Sequence, residues 1–386
     1  MKKIYLDHAA TTPVDTEVFE AMKPYFLEKF GNASSLHSLG REARDALEKS
    51  RKQIADFIGA RPNEIIFTGV GTEADNLAIE GVAWANQGKG KHIITSKIEH
   101  PAVRKICKFL EAHGFKVTWL DVDSEGLVNP KDVEKAITKE TILVSIMHVN
   151  NEIGAIQEIE EIGKICRKNK VYFHTDAVQS FGKLPIDVKK MNIDLLSASG
   201  HKIYGPKGVG FLFVRQDVKI VPLLQGGGHE TGLRSGTENV PGIVGMAKAT
   251  ELCKMRMKSE TERQKKMQKK IIDELLKMPG TRLNGPKEKR IYNNVNISFG
   301  GVEGEALLLR LDEKGICVST GSACSSKSLE PSYVLSAIGL KPEQAHGSLR
   351  LTLGKDNTEE DIDYVFKTIK EIVNSLRKIS PFGKSW

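Results

Sequence analysis

Between residues 64 and 214 the chain alternates two kinds of pattern. Short apolar runs occur at 64–68, 92–96, 116–120, 142–147, 170–174, 194–199 and 209–214. β-Branched residues enrich several of them, and turn or helix signals bound them, so each predicts a strand. The stretches 72–86, 101–113, 130–137 and 158–169 instead carry apolar residues at helical spacing. Asn129 followed by Pro130 adds a helix start, an N-cap and then a proline in the first turn. Strands alternating with helices predict an α/β fold, a mostly parallel seven-stranded sheet sandwiched by helices. The last run follows Gly205-Pro206-Lys207-Gly208 so closely that antiparallel pairing is expected there.

The pattern changes near residue 255. Ser259 and Glu262 spell a capping box, which predicts a new helix, and Met267, Ile271, Leu275 and Met278 then recur at helical spacing. Strands are expected at 294–299, 316–319 and 348–353. A final helix is expected over 358–377, with Ile362, Phe366, Ile369 and Val373 on one stripe. The resulting division is a large domain over 14–257 and a smaller α/β domain made of 1–13 and 258–386. No internal repeat is evident.

Composition narrows the function classes. The 386 residues are 40% hydrophobic and 27% charged, which excludes disordered, collagen-like and disulfide-scaffold proteins. No apolar run is long enough for a membrane span, and the N-terminus turns polar too early for a signal peptide. The five cysteines form no CxxC pair, so no metal site is expected, and a reducing cytoplasm fits them. His174 and Asp176 lie close together but lack a third ligand at suitable spacing. The net charge is +8, with many cations between residues 254 and 290. A solvated helix face explains these better than nucleic-acid binding.

Candidate chemistry gathers at strand ends, where ligands bind in parallel α/β sheets. Lys202 follows the run at 194–199. Alone it reads as a surface lysine in a turn, but a desolvated lysine there can form a Schiff base. Asp176 ends the preceding run and could pair with the pyridine nitrogen of pyridoxal phosphate, or could merely cap a helix. Gln179 could donate to that ring's phenolic oxygen. Thr68-Gly69-Val70-Gly71-Thr72 lies at the first strand-to-helix turn, a favoured anion site, and Ser199 and His201 could add donors. His100, at another strand end, could stack on a planar ring or shuttle protons. Cys324 sits in Gly321-Ser322-Ala323-Cys324-Ser325-Ser326, the composition of an exposed loop and an accessible thiol. The other four cysteines fall in helical or strand patterns and read as structural. Arg350, on a short strand, suits bidentate binding of a carboxylate.

With these residues in view, the chain resembles the cysteine desulfurases of the IscS/NifS type, in the class V aminotransferase group of fold-type I pyridoxal phosphate enzymes. The resemblance runs through Tyr5-Leu6-Asp7-His8-Ala9-Ala10-Thr11-Thr12-Pro13, Thr72-Glu73-Ala74-Asp75-Asn76-Leu77 and His148-Val149-Asn150-Asn151-Glu152-Ile153-Gly154. It continues through the Lys202 motif, Gly227-Gly228-His229-Glu230, Arg234-Ser235-Gly236-Thr237 and the Cys324 loop. It implies that Lys202 links the cofactor, Asp176 and Gln179 hold its ring, and His100 stacks on it. It implies a phosphate site of Gly71, Thr72, Ser199 and His201, with Thr237 from the neighbouring subunit of a homodimer. It further implies that Asn151 and Arg350 hold the carboxylate of L-cysteine. Lys202 would take the α-proton, with His100 as an acid/base participant. Cys324 would receive the sulfur as a persulfide, for an iron–sulfur scaffold protein or another acceptor such as one serving tRNA thiolation. Two positions depart from the family pattern, which often has alanine at 71 and serine at 74. Selenocysteine lyase, a class V transaminase and a silent assembly scaffold are the rivals. Cys324 argues against transamination, and intact Lys202, Asp176 and Cys324 argue against a scaffold.

Overall fold

A computed structural model describes residues 2–320 and 331–380. Strand β1 (Ile4–Tyr5) opens the chain. Then come β2 (Ile65–Thr68), β3 (His92–Ser96), β4 (Lys116–Leu120), β5 (Thr141–Ser145), β6 (Tyr172–Asp176), β7 (Leu195–Ser199) and β8 (Gly210–Val214). These seven form one sheet in the order β2-β8-β7-β6-β5-β3-β4. Strand β8 runs antiparallel to both its neighbours, and the other six point one way, as the sequence predicted. All residues of β3, β5 and β7 are buried, which is why these strands read as continuous apolar runs rather than alternating ones.

Helices cover both faces. Gly71–Asn86 and Pro101–Ala112 lie on one side, where Ile79, Val82 and Leu110 pack on Ile93, Leu143 and Leu212. Ser38–Ile58, Ile159–Asn169 and the first part of a long helix lie on the other, where Ile54, Ile162 and Met246 pack on Phe173 and Phe211. A second core gathers around Leu307, Leu349 and Ile369. There β9 (Thr281–Leu283), β10 (Asn294–Phe299) and β12 (Ser348–Thr352) form an antiparallel sheet in the order β12-β10-β9. Strand β11 (Ile316–Cys317) pairs in parallel with β1, and Ile4 and Leu6 join this second core. The expected strand over 316–319 thus ends at Cys317, and Ser319 makes only an isolated bridge to Arg350. No helix among the described residues is long and apolar enough to cross a membrane.

The expected helix start at Ser259 is not there. One helix, Val240–Leu275, runs for 36 residues, capped by Asn239, whose side chain accepts from Gly242 N. Ser259 lies inside it, and its hydroxyl donates to Arg256 O at 3.0 Å. No glycine or proline interrupts residues 246–275, so nothing stops the helix where the Ser-x-x-Glu pattern suggests a beginning. The boundary drawn at 257/258 therefore falls within a helix. Its early residues Met246 and Leu252 belong to the first core, and Met267 and Ile271 belong to the second.

Candidate active site

The C-terminal ends of β2, β6 and β7 deliver the chemistry. After Ser199 the chain makes a tight turn, Gly200–Lys202. A Cβ on Gly205 would lie 2.8 Å from Gly200 O, so the return of the chain requires glycine. Tyr204 adopts φ 64°, its N–H donates to Thr12 Oγ1, and its hydroxyl accepts from Lys355 N. Held this way, Lys202 Nζ donates to Ala9 O at 2.5 Å and Ala10 O at 2.8 Å. The N-terminal segment therefore forms one wall of the lysine's site. Gln179 Nε2 also donates to Ala9 O, at 3.0 Å.

Asp176 is buried at the end of β6, and its Oδ1 accepts from Val178 N at 2.9 Å. Burial pushes its carboxyl upward, and His100 and Lys202 oppose that shift. His100 caps helix Pro101–Ala112, and its Nδ1 accepts from Ala102 N at 3.2 Å. Burial holds its ring below the usual histidine range. Facing atoms of Asp75, His100 and Asp176 lie within 4.8 Å of one another.

The turn after β2 meets the same edge. A Cβ on Gly71 would lie 2.8 Å from Val178 Cγ2 and 3.4 Å from Ser199 Cβ. This gives a local reason for glycine where the family often has alanine. Ser199 Oγ is buried with no hydrogen-bond partner among the described residues. His201 Nδ1 lies 3.1 Å from Thr11 Oγ1, and burial with Lys202 and Lys207 pushes the ring down to about 4. These features fit pyridoxal phosphate. The unpartnered Ser199 hydroxyl and the N–H groups of a helix start suit a phosphate, and a buried carboxylate suits a pyridinium nitrogen.

Arg350 and Asn151 also meet. Arg350 Nη1 donates to Asn151 O at 3.0 Å, and Nη2 pairs with Asp7 Oδ1 at 2.8 Å. Its Nε is buried and has no partner among the described residues. Thr72 is exposed at the helix start. Thr237 is exposed, on a surface cleft of about 120 Å³ that Thr68 and Gly69 also line and that Asp176 and Lys202 do not. Cys324 lies outside the described residues. Cys107 and Cys166 are buried, and burial raises their thiols, as suits structural cysteines.

Three buried residues carry no sequence expectation. Asp75 Oδ1 lies 3.6 Å from His174 Nε2, and its place three residues after Thr72, on the inner side of helix Gly71–Asn86, is the signal that points to it. Glu99 accepts from Ser96 Oγ at 2.6 Å and from Met147 N at 3.1 Å, and burial pushes it up to about 8. Lys183 lies one turn after Gln179 and is pushed down to about 7 by burial and by Lys202.

A family model described as aminotransferase class-V matches residues 4–365. The cysteine desulfurase IscS of Dictyoglomus turgidum is 55% identical over 386 residues, covering 100% of this chain and 98% of that protein. The solved structure of a NifS-like protein superposes with a TM-score of 0.91 at 41% identity, over 97% of this chain and 100% of the other. SspA in complex with cysteine gives a TM-score of 0.81 at 40% identity, over 91% and 99% of the two chains. With Lys202, Asp176 and the Gly71 turn on one sheet edge and relatives of this identity along the full length, the chain belongs to the class-V aminotransferase family and, within it, to the pyridoxal phosphate-dependent cysteine desulfurases.

Proposed function

We propose that this enzyme takes the sulfur of L-cysteine onto Cys324 and releases L-alanine. The observation that supports it best is the convergence of Lys202, Gln179 and the Arg350–Asn151 pair on the N-terminal segment Asp7–Ala10. Pyridoxal phosphate supplies an electron sink for the substrate carbon that loses its proton. The chain does the rest. Gly71, Thr72, Ser199 and His201 bind the phosphate, joined by Thr237 of a second copy. Asp176 keeps a proton on the ring nitrogen, Gln179 orients the ring's oxygen, and His100 stacks against the ring and assists proton transfer. Arg350, with Asn151, holds the substrate carboxylate, and its Nε, without a partner among the described residues, offers a donor beyond those held by Asp7 and Asn151. Lys202 Nζ moves the α-proton. The Cys324 thiolate then attacks the substrate sulfur. An S–S bond forms as the carbon–sulfur bond breaks, the electron pair stays with carbon, and protonation yields alanine.

The persulfide then passes to an acceptor, an iron–sulfur scaffold protein or one serving tRNA thiolation. We place the enzyme in the cytoplasm as a homodimer. Its large domain spans 14–257, and its small domain comprises 1–13 with 258–386. The test is alanine and sulfide release from L-cysteine with a thiol reductant. Cys324→Ala is expected to keep the cofactor and lose sulfide, and Lys202→Ala to lose both cofactor linkage and turnover. Unchanged sulfide from Cys324→Ala would remove that thiol from the mechanism.

A further inference from the structure

The start of helix Gly71–Asn86 carries an acid at the proposed phosphate site. An α-helix leaves its first N–H groups without internal partners. Val70 caps this helix with no side-chain hydrogen bond, and the N–H groups of Gly71, Thr72 and Glu73 have no acceptor among the described residues. Glu73 sits in that first turn. A carboxylate there is itself drawn to the N–H groups and to the positive end of the helix. It is thus a built-in competitor for a phosphate, and a second negative charge beside one.

Glu73 is held aside from both sides. Its Oε2 accepts from Gly69 N at 2.8 Å, one residue before the cap, and its Oε1 accepts from Arg234 Nε at 2.8 Å. A Cβ on Gly69 would lie 2.9 Å from Glu73 Oε2, so glycine at 69 makes room for the carboxylate. Arg234 comes from 161 residues away in sequence, and this is its side-chain hydrogen bond among the described residues. It lines the surface cleft shared by Thr68, Gly69 and Thr237. The other acids of that cleft are Glu230 and Glu238. Glu230 is taken by the two Nη groups of Arg51, at 2.7 and 2.8 Å. The buried Oε2 of Glu238 has no partner among the described residues. Arg234 therefore serves Glu73.

We propose that Arg234 is a positioning residue for the phosphate site: it draws the Glu73 carboxylate away from the helix start and balances its charge, which leaves the N–H groups there to the phosphate. The inference rests on Gly71 and Thr72 forming that phosphate site. Arg234 acts through Glu73, so an uncharged residue at 73 makes Arg234 dispensable for phosphate binding.

The experiment titrates the full-length, cofactor-free protein with pyridoxal phosphate and, separately, with pyridoxal. Arg234→Met should weaken pyridoxal phosphate roughly tenfold, because an unbalanced carboxylate then faces the phosphate, and should leave pyridoxal unchanged. Glu73→Gln should bind pyridoxal phosphate at least as tightly as wild type. The double variant, Arg234→Met with Glu73→Gln, should return to within about twofold of wild type, the non-additivity expected of residues that act on each other. Arg234→Lys keeps a cation for Glu73 and should stay close to wild type. Arg234→Gln replaces Arg234→Met in both arms if methionine does not fold. A wild-type preference for pyridoxal phosphate that persists undiminished in Arg234→Met would leave the phosphate site standing and overturn the role of Arg234. A double variant as weak as Arg234→Met would overturn it too, because Arg234 would then act by shaping the cleft or placing Thr237. If wild type binds pyridoxal as tightly as pyridoxal phosphate, the phosphate site itself fails and the proposal with it.

Discussion

Ser199 and Glu99 are both buried beside the site, yet they are maintained differently. Among the described residues Ser199 Oγ has no partner, whereas the Glu99 carboxyl accepts from two donors, Ser96 Oγ and Met147 N. Ser199→Ala should therefore cost little stability but weaken pyridoxal phosphate binding several-fold, with binding of phosphate-free pyridoxal unchanged. Titration of the cofactor-free variant with both compounds measures this. Glu99 behaves in the opposite way. Its folded carboxyl is raised from about 4.5 to about 8, so the folded state holds a proton that the unfolded state releases. Its stabilising contribution is complete below about 4.5 and is lost as pH rises toward 8. Glu99→Gln should raise the melting temperature at pH 8, by roughly 2–4 °C, and leave it unchanged at pH 5, as a thermal melt at both pH values would show. Lys202, Asp176 and Gly71 were legible because they follow apolar runs at strand ends, where chemistry concentrates. Lys183 and Glu99 were not. The fold alone sets their surroundings, a cleft shared with Cys253 for Lys183 and the Met147 N–H for Glu99, and spacing along the chain carries no trace of that.

Strands were the most readable elements, because burial on both faces makes each of them an uninterrupted apolar run. Helix Ser38–Ile58 is harder to read. Its inward positions include Gly40, Ala43, Ser50 and Ala55, small residues that blur the apolar period. The Ser259–Glu262 pattern failed for another reason. A capping box signals a start only where the preceding chain is not helical, and here the preceding residues already are. Helix Val240–Leu275 thus ties the two cores together through a polar middle stretch. Ser259→Pro removes an internal hydrogen bond and clashes one turn back, a cost of about 3 kcal/mol or more. It should split a single calorimetric unfolding transition into two, one for each core. A single, merely lowered transition would mean that the cores are joined mainly by other contacts.

At the scale of the whole molecule, the described surface carries a group of large apolar side chains near the start of the chain. Leu27 and Leu36 are each 83% exposed and Phe30 is 64% exposed. Such exposed apolar side chains suit an interface, and a second copy of the chain is the proposed occupant. Leu36→Asp should shift sedimentation toward the monomer and, with Thr237 withdrawn from the neighbouring phosphate site, loosen the cofactor. The docking of the N-terminal segment on β12 has a further consequence, in time rather than in space. Leu6 O accepts from Thr352 Oγ1 across 346 residues of sequence, and Asp7 pairs with Arg350 across 343. A segment made early thus waits for one made much later before it can settle. Ala9 and Ala10 lie in that waiting segment, so the oxygens that hold Lys202 arrive late. The nascent large domain should build its sheet early and still be unable to retain its cofactor, and truncated chains ending before β12 should fold their strands yet release pyridoxal phosphate readily.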